Sequence, residues 1–442
     1  MTTPHAATPA RPPYAAMTAP TPAGRALAPD VARGLMLLGI ALANVVAWLY
    51  DRQTGLLMRP LDGGPVDRIV DAVCALLVDN RGYPMFAFLF AYGIHQLATR
   101  ELGRGRTRGR VFGFLATRYA WLFLFGLAHG FLLFFGDIMS LYAVAAFMLL
   151  IWLQAAPTWA LWIVFGATMP FFCFVSLGDA GAMASEAMEG MDGMTFAFPS
   201  ISAATYLDSL AARAGEDFGP AVLWLPWDAI CLLPPMVLGL ILARTRVLER
   251  PWERPGLART LAIVGVSLAV LGGLPLAWGL LTGAEASPLW MLAAMLSNVT
   301  GIAAGVGIPC LVALAVSRAQ RRRMADPSAS AGPMASALAA LGKRSMSGYL
   351  AQSALFALVM PAWTLGLGAT LGTAAASGIA IAVWVVTVIA AVLLERAGKP
   401  GPAEWLHRQL VGLSFPASGS PPAPATGQPT GSGQIAPPPA VR

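Results

Sequence analysis

His129 and Asp137 stand eight positions apart, one near the end of the apolar run Val111 to Phe135 and the other just before the next run, Ile138 to Leu153. An imidazole beside a carboxylate suits general-base work on a hydroxyl or an amine, because the ring titrates near neutrality and can take a proton from an attacking group. The same two residues would also serve a structural purpose, His129 as a hydrogen-bonding group inside a helix bundle and Asp137 as the cap of the following helix. An ionisable side chain in hydrocarbon costs about 3 kcal/mol or more unless it is paired or meets water, so these few positions are where function is sought first.

A second set of side chains suits anion binding. Asp30 and Arg33 share one helix face at the start of an apolar run, followed by Gly34, which would let another group approach closely. They would hold an anionic ligand, or Asp30 would cap the helix while Arg33 reaches the headgroups. Asn44 lies deep in the same run, where its amide needs a partner on a neighbouring helix or a ligand. Lys343 and Arg344 precede a helix carrying Ser347, Tyr349, Gln352 and Ser353, a setting that would bind phosphate and that also satisfies the rule placing cations beside spans. Glu404 sits in the block Gly401 to Arg408, which mixes Trp405 and Arg408 as interfacial anchors do. His95, beside an arginine-rich stretch, reads as interfacial. The candidate set is therefore His129 and Asp137 for catalysis, with Asp30, Arg33, Asn44, Lys343, Arg344, Tyr349, Gln352 and Glu404 for binding.

Lipid must position these residues. Of 442 residues, 57% are hydrophobic and 12% charged, whereas a soluble domain carries about 25% charged residues. Apolar stretches run over Val31 to Tyr50, Tyr83 to Leu97, Val111 to Phe135, Ile138 to Leu153, Thr158 to Leu177, Ala221 to Ala243, Leu261 to Leu281, Leu289 to Val316, Met346 to Gly366 and Ala374 to Leu394. Each comes near the roughly 20 residues a spanning helix needs. The expected fold is all-α, a polytopic integral membrane protein of about ten transmembrane helices. Val66 to Val78, with Asp67, Arg68 and Asp71, reads as an interfacial or partly inserted helix.

Basic residues cluster at 100–110, 244–259 and 318–344. Four spans separate the first cluster from the second and two the second from the third, both even, so all three fall on one side, expected to be cytoplasmic. The stretch 178–219 holds seven acidic residues against Arg213 alone and is expected outside. Residues 1–28 and 413–442 are expected to be disordered cytoplasmic ends around a transmembrane domain at 29–412, in the plasma membrane. The first span is expected to act as an uncleaved signal. The net charge of +7 follows membrane orientation rather than a nucleic-acid surface, and the four cysteines show no metal-ligand or redox spacing. No metal and no nucleic-acid partner are expected, and assembly with further copies is left open.

The blocks Asp30-Val31-Ala32-Arg33-Gly34 with Asn44, Phe88 to Gly93, Gly126-Leu127-Ala128-His129 with Gly136-Asp137-Ile138 and Tyr142, Gly342 to Ser353, and Gly401 to Arg408 occur in that order. Together they resemble the YeiB-like family of bacterial membrane proteins, which ends in a domain of unknown function. That family is similar, at a distance, to the transmembrane acyltransferase superfamily. The resemblance implies transfer of an acyl group from a cytoplasmic coenzyme A thioester to an acceptor outside. Asn44 stands where the glycan-modifying branch has a histidine, and no histidine occurs from Val45 to Ile94, so the catalytic residue does not carry over. His129 takes that place on position alone.

Two readings follow. In the first, Arg33, Lys343 and Arg344 hold an acyl-CoA while His129 and Asp137 activate an extracytoplasmic hydroxyl or amine on a small-molecule, glycan or lipid acceptor. In the second, the polar residues line the path of a transporter or exporter for a small anionic or lipid-like metabolite. No internal repeat is visible, which weakens a transporter of the inverted-repeat kind.

Overall fold

A computed structural model describes residues 26–153, 156–188, 198–282, 288–326 and 328–415, and the remaining residues lie outside it. The helices, in chain order, are α1 (Leu27–Asn44), α2 (Pro65–Leu77), α3 (Gly82–Gly103), α4 (Arg108–Leu132), α5 (Met139–Leu153), α6 (Thr158–Met188), α7 (Pro199–Ser202), α8 (Tyr206–Ala212), α9 (Phe218–Val222) and α10 (Leu225–Ala243). They continue as α11 (Pro255–Thr282), α12 (Pro288–Ala315), α13 (Ser317–Ala325), α14 (Pro333–Gly342), α15 (Ser345–Val359), α16 (Thr373–Arg396) and α17 (Pro402–Ser414). No β-strand forms among the described residues. The chain is an all-α membrane protein. Among the described residues, seven stretches are long and apolar enough to cross a bilayer by themselves: 27–48, 108–132, 158–178, 206–243, 255–282, 292–315 and 373–396. The other three expected spans are also helical, as α3, α5 and α15.

The surface is inside out by the standard of a soluble protein. Large apolar side chains face outward along the long helices, among them Ile163, Phe174, Ile263, Leu271 and Leu393, while Trp159, Trp224 and Trp278 stand exposed near helix ends. Lipid accounts for both, since tails accept the aliphatic faces and headgroups accept the indoles. Helix α2 shows the inversion most plainly. Val66, Ile69, Val73 and Leu77 face out, and Asp71 is buried, 3.3 Å from Arg59, whose other nitrogen lies 2.7 Å from Asp79. Asp67 caps another helix, accepting from the backbone of Ala374 at the start of α16 at 2.8 Å.

The basic clusters gather at one end of the bundle. Gln320 accepts from the Ala28 backbone at 2.7 Å and donates to Leu248 at 2.9 Å, Arg244 reaches the Ala156 carbonyl at 3.0 Å, and Arg344 donates to the carbonyl of Lys399. We call this the basic end and the opposite one the acidic end. Of the stretch 178–219, expected as a loop, residues up to Met188 extend α6, and α7, α8 and a π-turn at Arg213–Asp217 fold onto the acidic end. The expected ends 1–28 and 413–442 fall almost wholly outside the described residues.

Helix α1 runs through the middle, against α3, α12, α14, α15 and α16. Close approach requires bare backbone at two points. A Cβ at Gly34 would collide with the Leu338 carbonyl of α14, and one at Gly342 with the Asp30 carbonyl of α1. The glycine after Arg33 thus does what the sequence suggests, and it brings Lys343 and Arg344 beside Asp30 and Arg33.

Candidate functional site

Helix α4 ends at Leu132, one turn past His129, and the chain turns back into α5 through Asp137. Asp137 starts that helix: its Oδ2 accepts from the Ser140 backbone at 2.7 Å and from the Ser140 hydroxyl at 2.6 Å. Its Oδ1 lies 2.9 Å from Nδ1 of His129. Gly126 makes the approach possible, because a Cβ there would stand 2.6 Å from Oδ2 and collide with the Ser140 nitrogen. At the acidic end Arg213, wholly buried, donates to the Phe131 carbonyl at 2.7 Å and fastens the last turn of α4. Both structural uses expected for the pair are therefore present along with the contact that chemistry would need.

The other imidazole nitrogen meets a hydroxyl. Nε2 of His129 lies 2.9 Å from Oγ of Ser353 on α15, 224 positions away in sequence. A carboxylate can only accept, so Nδ1 carries the hydrogen toward Asp137 and Nε2 is left to accept the Ser353 proton. His129, Asp137 and Ser353 are 2%, 7% and 3% exposed. Serine, histidine and aspartate in this order form the constellation that activates a hydroxyl in acyl-transfer enzymes.

A cavity of about 690 Å³ leads from the basic end toward this group. Its mouth carries Arg33, Arg118, Lys343, Arg344, Lys399 and Arg408, with Glu395 and Glu404. Both carboxylates are engaged. Glu395 bridges Lys343 and Arg344, each at 2.6 Å, and Glu404 accepts from the backbone nitrogens of Met346 and Ser347 at 2.8 and 3.2 Å, capping α15. Deeper, the walls are Leu37, Ile40, Phe86, Phe90, Leu122 and Ile138. Tyr349 also lines the cavity, and its ring packs 4.9 Å from the His129 ring, centroid to centroid. The mouth attracts anions and the depth accepts apolar groups.

Of the expected binding residues, Arg33, Lys343, Arg344, Tyr349 and Glu404 line the cavity. Asp30 is buried behind Arg33, 3.1 Å from its guanidinium. Gln352 is buried one turn before Phe356 and donates to the Leu37 carbonyl at 3.1 Å, while its own carbonyl oxygen has no hydrogen-bond partner. Asn44, the last residue of α1, is half-buried, one turn past Ile40 and outside the cavity. His95 is buried on α3.

Sequence reading passed over Arg118 and Lys399, took Arg408 for an interfacial anchor, and named Ser353 without choosing it. Arg118 gave a signal, being a cation ten residues into an apolar helix. His407 of α17 also lines the mouth, with Nε2 2.9 Å from the Arg118 carbonyl. Burial, and then the Arg118 charge, lowers its imidazole to about 4, so it is neutral at physiological pH.

Comparison with known proteins agrees with the resemblance read from the blocks. Residues 242–414 match the model of a family described as "Protein of unknown function (DUF418)". That span takes in Lys343, Arg344, all of α15 and Glu404. The chain is similar to the "Uncharacterized protein YxaH" of Bacillus subtilis (strain 168), 24% identical over 416 residues that make up 87% of this chain and 94% of the relative. It is also similar to the "Uncharacterized 39.9 kDa protein in amylase 3'region" of Bacillus acidopullulyticus, 31% identical over 121 residues, 27% of this chain and 32% of that one.

Proposed function

We propose that this chain, whose C-terminal region belongs to the DUF418 family, is a membrane acyltransferase that takes an acyl group from an acyl-CoA at the basic end and passes it to a hydroxyl or amine acceptor. The observation that carries this reading is the cation-rimmed cavity whose apolar depth ends on Tyr349, against the ring of the buried His129–Asp137 pair. Phosphates of the donor would sit among Arg33, Arg118, Lys343 and Lys399, where guanidinium and ammonium groups bind phosphate oxygens directly. The thioester arm would run along Leu37, Ile40 and Phe90. His129 would accept the proton of the attacking group, and Asp137 would steady the imidazolium so formed. No metal is invoked. In this reading the basic end faces the cytoplasm of the plasma membrane, with both termini there and the acceptor coming from the acidic end.

One feature also favours export of an anionic metabolite. The cavity meets one end of the bundle, and Trp48, Phe134 and Phe356 pack together on the other side of His129, as in one state of an alternating-access carrier. Binding of acetyl-CoA and of longer acyl-CoA to the purified chain separates the two. Saturable binding weakened about tenfold or more by Arg33→Ala and by Lys343→Ala is expected for the acyltransferase. Uptake into vesicles without any acyl donor, together with no binding at any chain length, would leave export as the reading.

A further inference from the structure

Three side chains on one face of α15 stand in series along the axis of the bundle. Tyr349 lines the cavity, Ser353 follows one turn later, and Phe356 comes after it, buried against Trp48 at 6.1 Å between ring centroids. Ser353 is thus about 6 Å of helix axis beyond the cavity floor, and its hydroxyl already points at Nε2 of His129. An acceptor from outside must cross the layer of Trp48, Phe134 and Phe356 to reach this group, whereas a donor from the basic end meets Tyr349, which lines the cavity and whose hydroxyl donates to the Gly136 carbonyl at 3.2 Å. If transfer were direct, donor and acceptor would have to meet at His129 with both approaches open together, which would breach the barrier between the two faces.

Resting on the acyltransferase reading, we propose that Ser353 is the first acceptor of the acyl group, held there as a serine ester between two half-reactions that open the site to one face at a time. In the first, Oγ of Ser353 attacks the thioester carbonyl carbon as Nε2 of His129 takes its proton. The carbon–sulfur bond breaks, and the departing thiolate receives that proton from His129 to leave as free CoA. In the second, the acceptor oxygen or nitrogen attacks the ester carbon and gives its proton to Nε2. The Ser353 carbon–oxygen bond breaks, and the proton returns to Oγ. Nothing is oxidised or reduced, and no further reagent is needed. Asp137 holds the ring in the tautomer that both steps use.

The buried position of Ser353 suits this role. An ester exposed to water would hydrolyse between the half-reactions, and the apolar layer beyond Ser353 excludes water. An acyl group also matches its apolar surroundings better than the hydroxyl it replaces.

The test uses the full chain in lipid nanodiscs with radiolabelled acetyl-CoA and palmitoyl-CoA and no acceptor. Binding of unacylated CoA is measured in parallel. The expected result is a burst of close to one equivalent of free CoA and a covalent label on the Ser353 peptide that survives denaturation. The label should be lost with Ser353→Ala and at least a hundredfold slower to form with His129→Gln. Because Ser353→Ala could disturb packing, Ser353→Cys supplies a chemical signature. There the label should become a thioester, released by neutral hydroxylamine, where the wild-type ester resists it. CoA binding without label on either protein overturns the proposal and leaves direct transfer as the mechanism, and label on another residue overturns it by making that residue the first acceptor. Absence of CoA binding overturns the acyltransferase reading and the ester with it.

Discussion

Asp137 serves two partners with two oxygens, orienting His129 with one and opening α5 with the other. An asparagine has a single acceptor oxygen and an amide that would face a donor on whichever side it turned. On the acyltransferase reading, Asp137→Asn is therefore expected to lower acyl transfer by about 10²- to 10⁴-fold while CoA binding, proposed at the distant mouth, changes less than about threefold. A parallel loss of both would mean that the substitution had disordered α5 instead. His407 gives a pH prediction. Its imidazole is lowered to about 4 in the fold, against about 6.5 in an unfolded chain. The unfolded state then binds the extra proton between those values, so the stability it contributes is present above pH 6.5 and lost as pH falls toward 4. Thermal midpoints of wild type and His407→Gln should diverge less at pH 5 than at pH 7.5, and a gap that widened on acidification would contradict this. His129 and Asp137 were legible in the sequence because charge in an apolar run is conspicuous. Ser353 was not, since a serine in a membrane helix usually bonds its own backbone, and its partner lies 224 positions away.

At the scale of elements, the site depends on two close crossings. Gly342 lets α14 reach α1 and so places Lys343 and Arg344 near Arg33, and Gly126 lets α4 reach the start of α5. A methyl group has nowhere to go at either crossing, because the nearest colliding atom at each is backbone. Gly342→Ala and Gly126→Ala are each expected to cost about 1–3 kcal/mol, read as a lower thermal midpoint in detergent. They should differ in what else they damage. Gly342→Ala should weaken CoA binding and Gly126→Ala the chemical step, and the reverse pattern would break the link between these crossings and the site. The helices themselves could be read in advance, because hydrocarbon thickness fixes the length of an apolar run and every expected span is helical. The crossings could not, since a glycine shows only that something comes close, without saying what. The short helices over 199–222 were hidden for a related reason: the acidic composition of that stretch masks residues that pack through Arg213 and Phe218.

For the whole molecule, the parity of spans between arginine clusters predicted that the clusters share an end, and there Gln320 of the third cluster donates to Leu248 in the second, while Gln96, just before the first, donates to Glu249. Which side of the membrane that end faces follows from the proposal. With the native cysteines replaced, Ser330→Cys at the basic end should resist an impermeant maleimide in intact cells, and Thr370→Cys at the acidic end should react, both positions being exposed. The opposite labelling would reverse the direction of transfer. Arg33 and Ile40 bring one more consequence, because both line the cavity from the same helix, seven residues apart. On the acyltransferase reading, a rigid rod thus sets about 10 Å between the point that would catch the donor's charge and the depth where its carbonyl would arrive. The cavity would then be a gauge for the carrier arm, leaving the length of the cargo unmeasured until the chain passes Ser353. Discrimination among acyl groups would then fall to Phe356, Phe134 and Trp48, whose rings decide how much tail fits beyond the ester.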